Sequence, residues 1–284
     1  MRRPRPTIPE GRVRRRTFRG GQSHTKEACL PVGQLLGCLL LLVPSGAGDL
    51  AEPIATDRPD FTETARVVPR GRIQWESGIG FTRAGSAAET ALGEALLRIA
   101  TGHRTEARVG VNSWLRTSDS GRRAAGKDDF SLGFKVELAD ASPRFSLLKP
   151  DVALIAQTSI PSGSSAYRER NPQPEAKLCL AWDLDSATSL GSNLNYAWAS
   201  ESGDRFGRWS ASASLSRAIG RRLSGFIELF AFLPAGRNGP NATYAQGGIA
   251  LLPHPDLQLD FHAGVGFNSA SPDYFLGVGV SRRW

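Results

Sequence analysis

From Leu257 to the terminal Trp284 the chain alternates apolar and polar side chains with a period of two, over two long runs. Leu257, Leu259, Phe261, Ala263, Val265 and Phe267 alternate with Gln258, Asp260, His262, Gly264 and Gly266. After a turn at 268–273, Tyr274, Leu276, Val278, Val280 and Trp284 share one face, and Gly277, Gly279, Ser281 and Arg283 the other. That period belongs to β-strands, whose successive side chains point to opposite faces. Two architectures accept such strands: an antiparallel sheet with one solvated face, and a barrel wall of about ten-residue strands with lipid outside and a wet lumen inside.

The rest of the body favours the barrel. From Gly71 onward, alternating runs follow one another. Ile73, Trp75, Ser77, Ile79 and Phe81 oppose Gln74, Glu76, Gly78 and Gly80, and Ala107, Val109, Val111, Ser113 and Leu115 oppose Glu106, Arg108, Gly110 and Asn112. Phe130, Leu132, Phe134, Val136 and Leu138 stand against Ser131, Gly133, Lys135 and Glu137. Val152 to Ile160 is apolar on both faces, which leaves its register open. About twelve strands result, an even number as single-chain bacterial barrels require. Long polar connections are expected at 83–90, 116–127, 161–173, 199–208 and 234–243, and tight ones at 101–104, 185–187, 220–222 and 253–256. Alternating long and short connections place the long ones outside the cell. The connection 139–150 breaks the rule by its length. With that orientation Trp75, Trp182 and Trp284 lie near the periplasmic rim, and Phe81, Trp198, Trp209, Phe267 and Tyr274 near the other, the two depths that aromatic belts occupy.

Charge has to be located before it is interpreted. The net +8 is concentrated in residues 1–47, which hold nine basic side chains against Glu10 and Glu27; the remainder has 26 basic and 25 acidic. No basic face for nucleic acid is left in the body. Residues 1–47 read instead as an export leader, with basic residues, an apolar run from Leu35 to Val43, and small residues ending at Ala47. That run is too short for a membrane-spanning helix, which takes about twenty residues. Cys29 and Cys38 fall in the leader, so Cys179 has no intramolecular disulfide partner. An exported membrane protein without spanning helices is expected to be a closed barrel, because hydrocarbon cannot satisfy an open sheet edge. The expected organisation is thus a leader at 1–47, a periplasmic lead-in at 48–70 and an all-β antiparallel transmembrane barrel at 71–284.

The run Thr56-Asp57-Arg58-Pro59-Asp60-Phe61-Thr62-Glu63, with Gly93-Glu94-Ala95-Leu96-Leu97-Arg98 and Ser271-Pro272-Asp273-Tyr274-Phe275, resembles an outer-membrane transporter family labelled for the "MetA pathway of phenol degradation". The likeness runs from about Ile54 to Trp284. It implies a barrel that moves small solutes, aromatic or hydrophobic ones among them, and carries over no catalytic residues.

The polar strand faces place Glu76, Glu94, Arg98, Glu106, Arg108, Lys135, Glu137, Lys177, Asp183, Glu228, Asp260 and His262 in the lumen. Two readings stay open. They could line a solute pathway whose mixed charges filter what passes, or fill a structural or sensing barrel with ion pairs. Asp57, Arg58, Asp60 and Glu63 could fold back as a latch against Arg98, Arg108 or Lys135, although an ordinary periplasmic lead-in is the simpler expectation. Lipid hydrolysis is the remaining alternative, with His262 its natural candidate, but no Gly-x-Ser-x-Gly elbow is present. No metal-ligand spacing or cofactor fingerprint appears. The expected partners are outer-membrane lipid, a small solute, and the barrel assembly machinery acting through the C-terminal strand.

Overall fold

The computed structural model describes residues 52–140 and 148–284. The leader therefore lies outside the described residues, as does most of the 139–150 connection. Fourteen strand segments are formed: β1 (Ile73–Ala84), β2 (Ala87–Ala100), β3 (Thr105–Val111), β4 (Trp114–Asp119), β5 (Arg122–Lys127), β6 (Phe130–Ala139), β7 (Asp151–Ile160), β8 (Gln173–Asp183), β9 (Thr188–Glu201), β10 (Asp204–Ala218), β11 (Leu223–Leu233), β12 (Ala242–His254), β13 (Leu257–Gly266) and β14 (Tyr274–Arg283). All pairings are antiparallel between chain neighbours, except that β3 pairs with both β2 and β6, and β2 with both β3 and β4. The segments β3 and β4 are one wall strand interrupted at 112–113, and β5 and β6 another interrupted at 128–129, which makes twelve strands. The sheet closes where β1 pairs with β14 as well as β2. Direct β6–β7 pairing shows that no wall strand intervenes in the 139–150 connection.

The barrel is apolar outside and polar within. Ile227 is 65% exposed while its neighbour Glu228 is 3% exposed. The same contrast recurs along β13, where Leu259 and Phe261 are exposed and Gln258 and Asp260 buried. Lysine or arginine at mid-membrane on the outer face would cost about 2–4 kcal/mol, which explains the near absence of charge there. The outward Arg217 sits at the strand end, where it donates to the Thr188 hydroxyl at 2.7 Å. Both ends of the wall meet at one rim: the Trp284 amide donates to the Ile73 carbonyl at 2.9 Å and the reverse bond is 3.2 Å. The tight turns share that periplasmic rim, and the 161–172, 234–241 and 267–273 connections occupy the other.

Three of the expected long loops are strand instead. Residues 83–90, 116–127 and 199–208 continue the wall upward and close in turns at 85–86, 120–121 and 202–203. In the first two the alternation is hidden because the side-chain parity flips, whereas at 199–208 the β9–β10 register runs on unbroken. Gly93, at φ +72°, is a bulged residue between the pairs Gly78–Glu94 and Ile79–Leu92, so the inward residues are even-numbered after it and odd-numbered before it. The break at 112–113 does the same. Leu115, expected on the outer face, is fully buried inside against Ala91 and Tyr167.

Candidate functional site

The lead-in enters the barrel. At the periplasmic rim the Ile54 amide donates to the Pro255 carbonyl at 2.7 Å and Arg283 Nη2 to the Glu52 carbonyl at 2.6 Å. The segment then rises to Phe61 and descends past Ala65 to a turn at Pro69–Arg72. Pro53, Pro59 and Pro69 keep it out of regular strand structure, so its backbone groups need partners other than a ladder.

The wall supplies them. The Asp57 amide donates to both oxygens of Glu76 (3.0 and 3.2 Å). Glu228 accepts the amides of Phe61 and Thr62 at 2.8 and 2.7 Å and the Thr62 hydroxyl at 2.6 Å. The Val67 amide reaches Glu137 Oε1 at 2.6 Å, and the Val68 amide Glu106 Oε2 at 2.8 Å. Cations take the carbonyls: Arg98 donates to those of Ala55 and Arg66 at 3.0 and 2.8 Å, and Lys135 to that of Thr64 at 2.9 Å. Four wall carboxylates and two wall cations thus do for an irregular segment what neighbouring strands do for a strand.

Side-chain charges bind it a second time. Asp57 lies 2.6 Å from Arg108, 3.1 Å from Lys135 and 3.5 Å from Arg98. Arg98 also holds Glu106 at 2.9 Å and Glu76 at 3.0 Å. Glu63 reaches Lys177 at 2.9 Å and Arg108 at 3.5 Å. Four cations (Arg98, Arg108, Lys135, Lys177) face five carboxylates (Asp57, Glu63, Glu76, Glu106 and, 3.5 Å from Lys177, Glu175), a nearly balanced set in a largely dry interior. Burial alone would raise the Asp57 pKa, but Arg98, Lys135 and Arg108 outweigh it and hold the carboxyl well below the usual range. Lys177 and Arg108 outweigh burial at Glu63 in the same way and lower it. Asp60 has no such cation, and burial together with the Glu228 charge pushes it up to about 8.

Arg58 occupies a trough along β1 and β14. It lies 3.5 Å from both Glu94 and Asp260 and donates to the Val278 carbonyl at 3.4 Å. A Cβ on Gly279 would fall 2.4 Å from its Nε. The alternating glycines of the terminal strand leave room for this side chain. His262, two residues from Asp260 on the same face, engages Gln246 through Nδ1 at 2.8 Å and packs edge-on to Phe275.

The sequence-predicted polar residues are therefore brought together, by the lead-in as much as by the wall. An aromatic group was missed. Phe61, at the tip of the inserted segment, stacks on Phe230 at 4.8 Å, and Phe230 stacks on Tyr244 at 4.5 Å. Phe232 and Phe275 meet this pair edge to face. Above them opens a cavity of about 380 Å³ lined by Phe206, Phe230, Phe232, Tyr244 and Phe275, with Glu89, Gln173, Glu201 and Arg208 among its polar residues. The Arg208 guanidinium stands 5.3 Å from the Phe232 ring centroid. Parity contained the signal: Phe230 and Phe232 share the polar face of Glu228, where apolar side chains have no lipid to meet. The apolar inner face of β7 has a similar cause, since Ala153 and Ile155 pack with Cys179 against Ala65 of the inserted segment.

The family profile described as "Putative MetA-pathway of phenol degradation" matches residues 56–284. The chain belongs to that family. The match starts inside the inserted segment and includes the whole barrel. Among solved structures, an outer membrane channel from Pseudomonas putida F1 is similar, with a TM-score of 0.59 at 14% identity over 78% of this chain and 98% of that one. The NanC porin has a TM-score of 0.48 at 14% identity over 73% of this chain and 98% of that one. The KdgM porin with bound disordered oligogalacturonate has 0.48 at 9%, covering 74% of this chain and 98% of that one. No curated protein sequence matches. Fold, lipid-facing wall and family together place this family member in the bacterial outer membrane.

Proposed function

We propose that the protein is an outer-membrane channel for small aromatic or hydrophobic solutes, which enter through the extracellular aromatic cavity. Segment 54–68 occupies the periplasmic half of the path and must shift for a solute to pass. The observation that carries this reading is the cavity itself: five inward aromatic residues at the extracellular mouth of an otherwise charged lumen, with Phe61 of the inserted segment forming part of their stack. A barrel needing only to be filled would not keep an aromatic-lined volume of about 380 Å³ open there. An apolar cavity of about 150 Å³ accommodates benzene, so one ring fits with room to spare. The Pseudomonas outer membrane channel has a similar fold, which agrees with transport.

The filled structural barrel is the second reading, favoured by the near balance of cations and carboxylates paired around Asp57, Arg98 and Lys177. Transport also suits the residues better than hydrolysis, since His262 is engaged by an amide and Asp260 lies against Arg58. The apolar wall would meet outer-membrane lipid, and β14 would be the strand engaged by the barrel assembly machinery.

The test is toluene binding by the refolded protein, followed by calorimetry, with glucose as the polar comparison. We expect saturable toluene binding, no glucose binding, and a loss of about three- to tenfold on Phe230→Ala, in line with the 0.5–1.5 kcal/mol of an aromatic pair beyond its area burial. Equal affinity for both solutes, or toluene binding untouched in a folded Phe230→Ala protein, would remove the cavity from the path.

A further inference from the structure

We infer that the outer face of the β4–β5 hairpin and the adjoining end of β1 form a docking site for the phosphate groups of the outer-leaflet glycolipid. Four basic residues gather there. Cross-strand partners share a face, so the register assigns their direction. Tyr274 pairs with Arg83, Arg83 with Ala88, Ala88 with Ser118, and Ser118 with Arg123. One residue pair lower, Thr90 pairs with Arg116, and below that Trp114 pairs with Lys127. Tyr274 and Trp114 are exposed outward at 44% each, so Arg83, Arg116, Arg123 and Lys127 stand on the lipid side. The opposite side of the hairpin is covered by Tyr167, whose hydroxyl donates to the Ala124 carbonyl at 2.9 Å.

Height and charge select the occupant. The patch begins at Trp114 and Tyr274 of the extracellular aromatic belt and extends above it, where headgroups replace acyl chains. Among the described residues none of the four forms an ion pair, whereas nearby acids are engaged elsewhere. Asp273 accepts the Gly85 amide at 2.7 Å, Asp119 the Ser86 hydroxyl at 2.9 Å, and Asp129 the amides of Ser162 and Gly163 at 2.8 Å. Unpaired cations at headgroup height suit fixed lipid anions. Guanidinium groups, three of the four here, bind phosphate bidentately. The site depends on the barrel and its orientation, not on what the lumen carries.

Native mass spectrometry of the refolded protein in neutral detergent, with lipid A carrying two, one or no phosphates, tests the site. Each cation near an anionic surface contributes about fivefold, so the combined Arg83→Gln, Arg116→Gln, Arg123→Gln and Lys127→Gln protein should bind diphosphoryl lipid A at least about a hundredfold more weakly. Wild-type affinity should fall stepwise as phosphates are removed, and Arg205→Gln with Arg217→Gln, elsewhere on the wall, should leave it unchanged. Equal binding of the phosphate-free lipid, or an unchanged affinity in the fourfold variant, would overturn the assignment. Should the fourfold variant not fold, Arg116→Gln with Arg123→Gln must still lose about tenfold or more, since two cations are removed.

Discussion

Asp57→Asn is the sharpest perturbation of the seated segment, because it removes charge and preserves shape. The amide oxygen can still accept the Thr64 amide, a bond of 2.9 Å. What is lost is the anion standing 2.6, 3.1 and 3.5 Å from Arg108, Lys135 and Arg98. Three buried cations lose the carboxylate they share, in a place that water reaches only after the segment leaves. Breaking a buried ion pair by removing one partner costs about 3–5 kcal/mol. The cost falls on the seated state, since in the released state the cations are hydrated. At 1.36 kcal/mol per tenfold, the seated-to-released ratio should fall by roughly a hundredfold to several thousandfold. Trypsin reads this ratio directly at the Arg66–Val67 bond, whose carbonyl is held by Arg98 and whose amide is held by Glu137 when seated, and which is cleavable when released. If reseating is faster than cleavage, the cleavage rate follows the released population. In reconstituted barrels, cutting after Arg66 should accelerate by at least about a hundredfold, with the heat-dependent gel shift of the folded barrel unchanged. Adding Arg108→Gln should restore part of the resistance, as coupled neighbours require. A folded Asp57→Asn barrel cut no faster than wild type would refute the ion-pair account of seating.

Three other outcomes follow from the same contacts. Gly279→Val puts a branched side chain where Arg58 lies, 2.4 Å from its Nε. It should unseat the segment and speed tryptic cleavage after Arg66 without abolishing the gel shift. Asp60 should make seating pH-dependent: its pKa is about 8 when seated and an ordinary carboxylate value when released. The protonated acid favours seating, so this contribution is complete below the ordinary range and is lost as pH rises through about 8; Arg66 cleavage should accelerate from pH 6 to 9 in wild type and not in Asp60→Asn. Asp57 and Glu63 are lowered instead, so their contribution is present above the ordinary carboxylate range and is lost as pH falls below that range through their seated values; pepsin, which works in acid, should then cut near Phe61 faster as pH is lowered.

Much of the wall was legible, because a lipid-facing strand announces itself by alternation alone. The runs around Phe134, Phe261 and Val278 kept one parity throughout and were placed correctly. Parity failed at Gly93 and at 112–113, where a bulge or break reverses the faces and makes continuing strand look like loop. The site was less legible. Glu76, Glu106, Glu137 and Glu228 could be assigned to the lumen, but not to the backbone amides of Asp57, Val68, Val67 and Phe61, since hydrogen bonds to an irregular segment have no period. The expectation of a periplasmic lead-in for 48–70 met the same obstacle: its prolines argue against a strand without saying where the chain goes. The aromatic cavity was readable in principle from Phe230 and Phe232 on the face of Glu228, and was passed over because charge, not aromaticity, was sought on that face.

Single-channel conductance in a planar bilayer tests the central claim most directly, comparing the refolded protein with a variant in which residues 54–68 are replaced by a Gly/Ser segment of equal length. The account predicts small or rare openings for wild type and sustained discrete steps for the variant, reduced when toluene occupies the aromatic cavity. Two folded barrels that are equally silent would contradict it and favour the filled structural barrel.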